Sequence, residues 1–238
     1  MAIRSVYKVS SSEKKYVENI DVEFKWYPGF AVSQKQKSIK ELHYNYKKIY
    51  EKDNVLEISS KSENELGIKL SAFNLIITTK DNKIFTVESA FQSSKKFELG
   101  GPYLDILEKT SREAKKDPRL KTSGKLIAFE FYKKTWPLEP KTLFYDWLYI
   151  RALYKHEDLA SEIIKYDAFT DIEFNPDKSI NCQANSAALF VSLHKRNLLE
   201  DAMKSISNYI NIAKCINIDD PSLKEKYETS DSEQIGFF

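Results

Sequence analysis

Cysteine and histidine are scarce in this sequence: Cys182 and Cys215, with His43, His156 and His194, are all it has. They follow no HExxH or CxxC spacing, so neither a structural metal nor a disulfide framework is expected, and a reducing compartment fits. Glycine is also sparse, at six residues, and no GxxxxGK[ST], GxGxxG or GxSxG occurs. P-loop, dinucleotide-binding and serine-hydrolase readings therefore have no support. No apolar run approaches the eighteen residues of a membrane span, and Met1 to Lys8 lacks the apolar centre of a signal peptide. A cytoplasmic protein with no membrane partner is expected.

What is present is enough for a sizeable core. The 238 residues are 42% hydrophobic, which suits one large domain. The net charge of +2 hides a basic stretch from Lys109 to Lys125, containing Arg112, Lys115, Lys116, Arg119 and Lys121. Such a run either meets a phosphate backbone or forms a solvated face.

Alternation of apolar and polar residues predicts strands over 6–9 and 20–26, and helical spacing predicts a helix over 33–50. That helix begins with Lys35 and Lys37 in or near its first turn, where positive charge opposes the dipole unless an anion is held there. Further strands are expected over 55–59 and 68–79, with a hairpin turn at Asp81-Asn82. KLIAFEFY, 125–132, is strand-like by composition but also fits a buried helix. Helices are expected over 141–154, 159–164, 184–196 and 198–212, with 166–185 irregular and a polar tail at 216–238. The fold class is α+β, mostly helical, with a small antiparallel sheet from the N-terminal third. One domain spans 1–215, residues 1–54 forming an N-terminal extension packed on it.

The stretch TVESAFQSSKKFELGGP, 86–102, is the chemical centre. Thr86 is a plausible N-cap, and Gly100-Gly101-Pro102 is a strong helix stop. At helical spacing Glu88, Gln92 and Lys95 share one face. An acid, an amide and an amine so stacked can move a proton, orient a substrate and act as nucleophile. The same Glu and Lys also complement a helix dipole, so chemistry alone leaves their role open.

ExxFQxxK, here Glu88, Phe91, Gln92 and Lys95, resembles the signature helix of the NADAR family, proteins that break N-glycosidic bonds to ribose or ADP-ribose. Leu70-Ser71-Ala72-Phe73-Asn74 resembles the family's SNF-like turn, and Asp146-Trp147 with Arg151 its aspartate-tryptophan helix. Asp167 to Asp171, with Asn181 and the helix ending in Arg196, resembles its acidic-aromatic loop and final segment. The chain departs from the family in having Phe169 and Thr170 where tryptophan and glycines are common. GFAVSQKQKSI resembles the branch associated, as antitoxin, with DarT-type DNA-ADP-ribosyltransferase toxins.

The resemblance implies removal of ADP-ribose from guanine in single-stranded DNA, with ADP-ribose as product, a cognate toxin as partner and no cofactor. Glu88 is then the acid and base, and Lys95 the nucleophile that forms a Schiff base with the opened sugar. Gln92, Trp147, Asp167, Asp171 and Asn181 line the ribose and base pocket, and Lys35 holds the diphosphate. An amine nucleophile needs its pKa lowered from about 10.4 to about 7 or 8, and burial has to supply most of that. A glycosidase acting on ribosylated intermediates of riboflavin synthesis and a non-enzymatic ADP-ribose-binding module are the alternatives.

Overall fold

The computed structural model describes residues 1–176 and 179–214. The tail expected at 216–238 lies outside the described residues. In order, the elements are β1 (Ala2–Val9), β2 (Val17–Phe24), α1 (Val32–Lys47), β3 (Val55–Glu57), α2 (Glu65–Lys69), β4 (Ile76–Thr78), β5 (Ile84–Thr86), α3 (Val87–Ser93) and β6 (Lys95–Phe97). After a 3-10 turn at Leu104–Glu108 follow α4 (Ser111–Lys116), α5 (Arg119–Thr122), β7 (Leu126–Phe131), β8 (Lys134–Trp136), α6 (Leu143–Tyr154), α7 (Glu157–Ile163), β9 (Ala168–Thr170), α8 (Gln183–Lys195), α9 (Leu199–Lys204) and α10 (Ile206–Lys214). The α+β class is as the sequence predicts.

The main sheet has the order β2-β1-β9-β3, with β9 antiparallel to β1 and parallel to β3. Successive side chains on a strand point to opposite faces, and both faces of this sheet are covered. Val6 and Ala168 face α1, meeting Ile39, Leu42 and Tyr46. Their neighbours Tyr7 and Phe169 face the larger core built on α6 and α8. Ten of the twelve residues of α6 are buried, as expected of a helix that is apolar all round.

β9 lies within the segment expected to be irregular. It has three residues, all fully buried, so it offers neither the length nor the alternation that reveals a strand. The 125–132 segment is settled as strand β7, pairing with β6 and β8. The strand expected over 68–79 shrinks to β4, because its first residues close α2 and the 70–75 turn. The hairpin at Asp81-Asn82 is present, with Asn82 at φ 59°. The helix expected over 198–212 is broken at Ser205, which is extended.

The central helix is shorter than its periodicity implies. Thr86 caps α3 by accepting from Ser89 N–H at 3.1 Å, but the helix ends at Ser93 and Lys95 opens strand β6. Two serines explain the break. Ser93 and Ser94 both turn their hydroxyls back onto the Ala90 carbonyl, at 2.9 and 2.7 Å. The carbonyls that would continue the ladder go elsewhere: Ser93 O to Tyr103 N–H at 2.9 Å, and Ser94 O to Glu130 N–H at 2.7 Å. Gly101, at φ 81°, then passes so close to Lys95 that an added Cβ would lie 2.3 Å from the Lys95 carbonyl oxygen.

Candidate active site

Glu88 enters from the first turn of α3, where its backbone N–H donates to Ala72 O at 2.9 Å. The residue is buried, at 5% exposed. Oε1 accepts from Gln92 Nε2 at 2.8 Å, one helical turn on. Lys115 Nζ lies 4.0 Å from that oxygen, and 5.1 Å from the centre of the Phe73 ring. Lys115 belongs to the basic stretch of the sequence, and α4, with its Thr110–Glu113 capping box, fixes its approach. Gln92 Oε1 is buried and, among the described residues, accepts no hydrogen bond.

Lys95 is brought to this cluster although it has left the helix. Its Nζ sits 4.9 Å from the centre of the Phe91 ring. Burial lowers its pKa from 10.5 to about 8; the Glu88 carboxylate opposes the shift and Lys115 adds to it. The like charge that adds to the shift is that of Lys115. Strand alternation sends Lys96 the other way, to Glu130 at 2.8 Å.

A second polar group lies at the end of β3 and β9. Gln183 spans the space between: its Oε1 accepts from Ala72 N–H at 2.7 Å, and its Nε2 donates to Ile58 O at 2.7 Å and to Asp171 Oδ2 at 2.9 Å. Ala72 thus joins Gln183 on one side to Glu88 on the other. Asp171 Oδ1 accepts from Glu173 N–H at 3.0 Å. Burial, and then the charge of Glu57, push its pKa up to about 8. Glu57 accepts from Ser59 Oγ at 2.6 Å, Thr170 Oγ1 at 2.5 Å and Ile172 N–H at 2.9 Å. Desolvation outweighs these bonds and its pKa is raised too. Thr170 meets His43 Nε2 at 2.8 Å, and burial lowers that imidazole to about 4.

The remaining expected residues divide. Lys35 reaches Glu173 Oε1 at 3.2 Å and lies 4.7 Å from the Trp26 ring, which ties the first turn of α1 to the loop after Asp171. Asn181 Oδ1 is buried with no partner among the described residues, and Asn181 is not the cap of α8, since Cys182 occupies that position. Trp147 is not among the polar groups: it packs on Trp136 at 4.8 Å and Phe144 at 6.4 Å, inside the aromatic cluster that also holds Phe91. Asp167 stands at the opposite end of β9 from Asp171, about 13 Å away at strand rise. There it binds Lys195 at 3.0 Å and Asn54 N–H at 3.1 Å.

Sequence reasoning misses Glu57, Lys115, Gln183 and His43. Only Glu57 carries a readable signal, a lone acid inside the apolar run Val55-Leu56-Glu57-Ile58. A half-open hollow lined by Ile77, Thr78, Ala152, Lys155 and His156 lies elsewhere and holds none of Glu88, Gln92 or Lys95. Convergence of buried titratable groups marks the Glu88 cluster as the stronger candidate. Among the described residues no helix is long and apolar enough to cross a membrane, and no group of His, Cys, Asp and Glu is arranged to hold a metal ion.

A family model described as DarT1-associated NADAR antitoxin matches residues 2–222. No individual curated protein matches the chain.

Proposed function

Since the chain belongs to the family of DarT1-associated NADAR antitoxins, we propose that it is an N-glycosidase that removes ADP-ribose from guanine bases in DNA, undoing the work of a DNA-ADP-ribosyltransferase toxin. The observation that carries this reading is the pairing of a buried carboxylate, Glu88, with an amine, Lys95, whose pKa lies near 8. At neutral pH about a tenth of such an amine is unprotonated, against fewer than about one in a thousand for an ordinary lysine.

The reaction uses the two groups in turn. Glu88, having taken a proton from the Lys95 ammonium, protonates the ribose ring oxygen, the ring opens, and the anomeric carbon becomes an imine of the guanine nitrogen. The neutral Lys95 amine adds to that carbon. The bond to guanine then breaks, its electron pair staying on the nitrogen, which takes a proton through Glu88. Water hydrolyses the imine left on Lys95 and returns the free amine with ADP-ribose. Gln92 Oε1 and Asn181 Oδ1, both lacking donors among the described residues, are suited to accept from sugar hydroxyls or the base. Lys35 is suited to the diphosphate once Glu173 yields it.

Purified protein is incubated with DNA bearing ADP-ribosylated guanine, and free ADP-ribose is measured. Release supports the glycosidase. Tight binding of the modified DNA without release would assign the chain as a binding module, and release only from free ribosylated metabolites would move the substrate out of DNA.

A further inference from the structure

The connection from β2 into α1 has a composition unlike the rest of the chain. Residues 24–40 hold four lysines, Lys25, Lys35, Lys37 and Lys40, and no acidic residue, in a protein whose net charge is only +2. Aromatic residues are interleaved with them. Lys25 Nζ lies 5.0 Å and Lys37 Nζ 6.0 Å from the Tyr27 ring, while Lys35 and Arg4 lie over Trp26 at 4.7 and 5.4 Å. At the tip of the connection Phe30 is fully exposed, at 102%, with Val32 beside it at 46%. Gly29, at φ 125°, makes the turn that carries Phe30 outward.

The positive charge of this edge is poorly neutralised. Among the described residues, the ion pairs of the segment are Lys35 with Glu173 and Lys40 with Glu63, and neither engages Lys25 or Lys37. The first turn of α1 has no acid and no side-chain cap, so its N–H groups add to the positive field. The edge is tied to the candidate active site by a chain of contacts that starts at the Lys35–Glu173 ion pair. Glu173 follows Asp171 by two residues, and Asp171 is joined through Gln183 and Ala72 to Glu88.

We propose that this edge seats the single-stranded DNA flanking the modified guanine, with a neighbouring base stacked on Phe30 and the adjoining phosphates on Lys25 and Lys37. The inference rests on the DNA-glycosidase reading for its substrate, and names the surface that makes a polynucleotide preferable to a small molecule. An exposed ring among cations is the usual platform for unpaired bases, because every base offers a face and every linkage a charge. A duplex hides those faces. One phenylalanine and one valine are too little apolar area to seat a membrane, and the surrounding lysines would repel a basic partner.

The test measures binding of a labelled, unmodified oligonucleotide of about twelve nucleotides, within the usual span of such surfaces, by fluorescence anisotropy. The wild-type protein binds the single strand more tightly than the matching duplex. Phe30→Ala, a change at a fully exposed position, weakens single-strand binding about 5- to 100-fold. Lys25→Ala with Lys37→Ala lowers the slope of log affinity against log salt by about 1.4, or about 0.7 for each phosphate that is no longer neutralised. With modified substrates, Phe30→Ala lowers kcat/KM for the oligonucleotide relative to that of the same variant for ADP-ribosylated guanosine. Unchanged oligonucleotide binding by Phe30→Ala overturns the proposal, as does Phe30-dependent binding to vesicles of anionic lipid with none to DNA. If no substrate releases ADP-ribose while Phe30-dependent single-strand binding persists, the surface stands and the glycosidase reading falls.

Discussion

Gln92 donates one amide hydrogen to the Glu88 carboxylate at 2.8 Å and leaves its own oxygen buried without a donor among the described residues. A buried orphan acceptor costs about 1 to 3 kcal/mol, so the pair is primed for a donor on the substrate. Glu88→Gln preserves the bond, since the new amide oxygen still accepts from Gln92, and removes only the transferable proton. Deglycosylation should slow about a hundred-fold or more with substrate affinity largely kept. A variant that keeps its rate would take the proton transfer away from Glu88.

Lys95 permits a chemical trap. Borohydride reduces an imine, so wild-type protein should become fixed to its substrate and Lys95→Ala should not. Lys95→Arg keeps the charge but stays protonated, and should be inactive. The trapping rate should follow the unprotonated fraction, rising about tenfold per pH unit below 8 and levelling above it. An active Lys95→Arg variant, or a trapping rate indifferent to pH, would reduce Lys95 to an electrostatic contact and leave direct hydrolysis through Glu88.

Legibility of the fold and the site in the sequence depends on whether the signal is local. The Thr86 cap and the face shared by Glu88 and Gln92 are fixed within four residues, and both are present. Lys95 reaches the cluster by a different route, because helical spacing and the start of a strand both carry it to the Phe91 side. The hydroxyls of Ser93 and Ser94, which bond back onto the helix, are the local sign of that break. Gly101 has the sequence character of a helix stop, whereas its role in the fold is to approach the Lys95 backbone.

Pairings distant in sequence are not legible. Gln183 reaches Ala72 across 111 residues, and Thr170 reaches Glu57 across 113. The second depends on β9 entering the sheet beside β3, which three buried residues cannot announce. Asp167 and Asp171 resemble one acidic loop in sequence, and the strand between them places them at its two ends.

The Lys35–Glu173 ion pair gives the diphosphate assignment two opposed tests. Lys35→Ala should weaken free ADP-ribose binding by about ten- to a hundred-fold, the scale of one charge-assisted contact, without unfolding the protein. Glu173→Gln removes the competitor at 3.2 Å and should tighten binding. Isothermal titration of both variants checks this. Affinity unchanged in each would leave Lys35 as a tie between α1 and the loop after Asp171.

The Glu57–Asp171 pair should govern stability in one window of pH. Burial and the Glu57 charge keep a proton on the pair in the folded protein up to about pH 8, whereas an unfolded aspartate releases it near about 3.9. Between those values the unfolded chain binds fewer protons, so stability falls as pH rises and the contribution is lost through pH 8. Asp146, pushed up to about 6, acts in the same sense but has finished by then. His43, lowered to about 4, acts in the opposite sense only up to its unfolded value near about 6.5, and the opposing rise from Lys95 begins near 8. From about pH 6.5 to 8 the pair is left without these opponents. Thermal unfolding should show Tm falling across that range in the wild type and a flatter profile in Asp171→Asn, which keeps an acceptor for the Glu173 amide but cannot ionise. A wild-type Tm that holds or rises over the same range would mean that the two carboxylates do not share their burial, and that Asp171 is already ionised where the reaction runs.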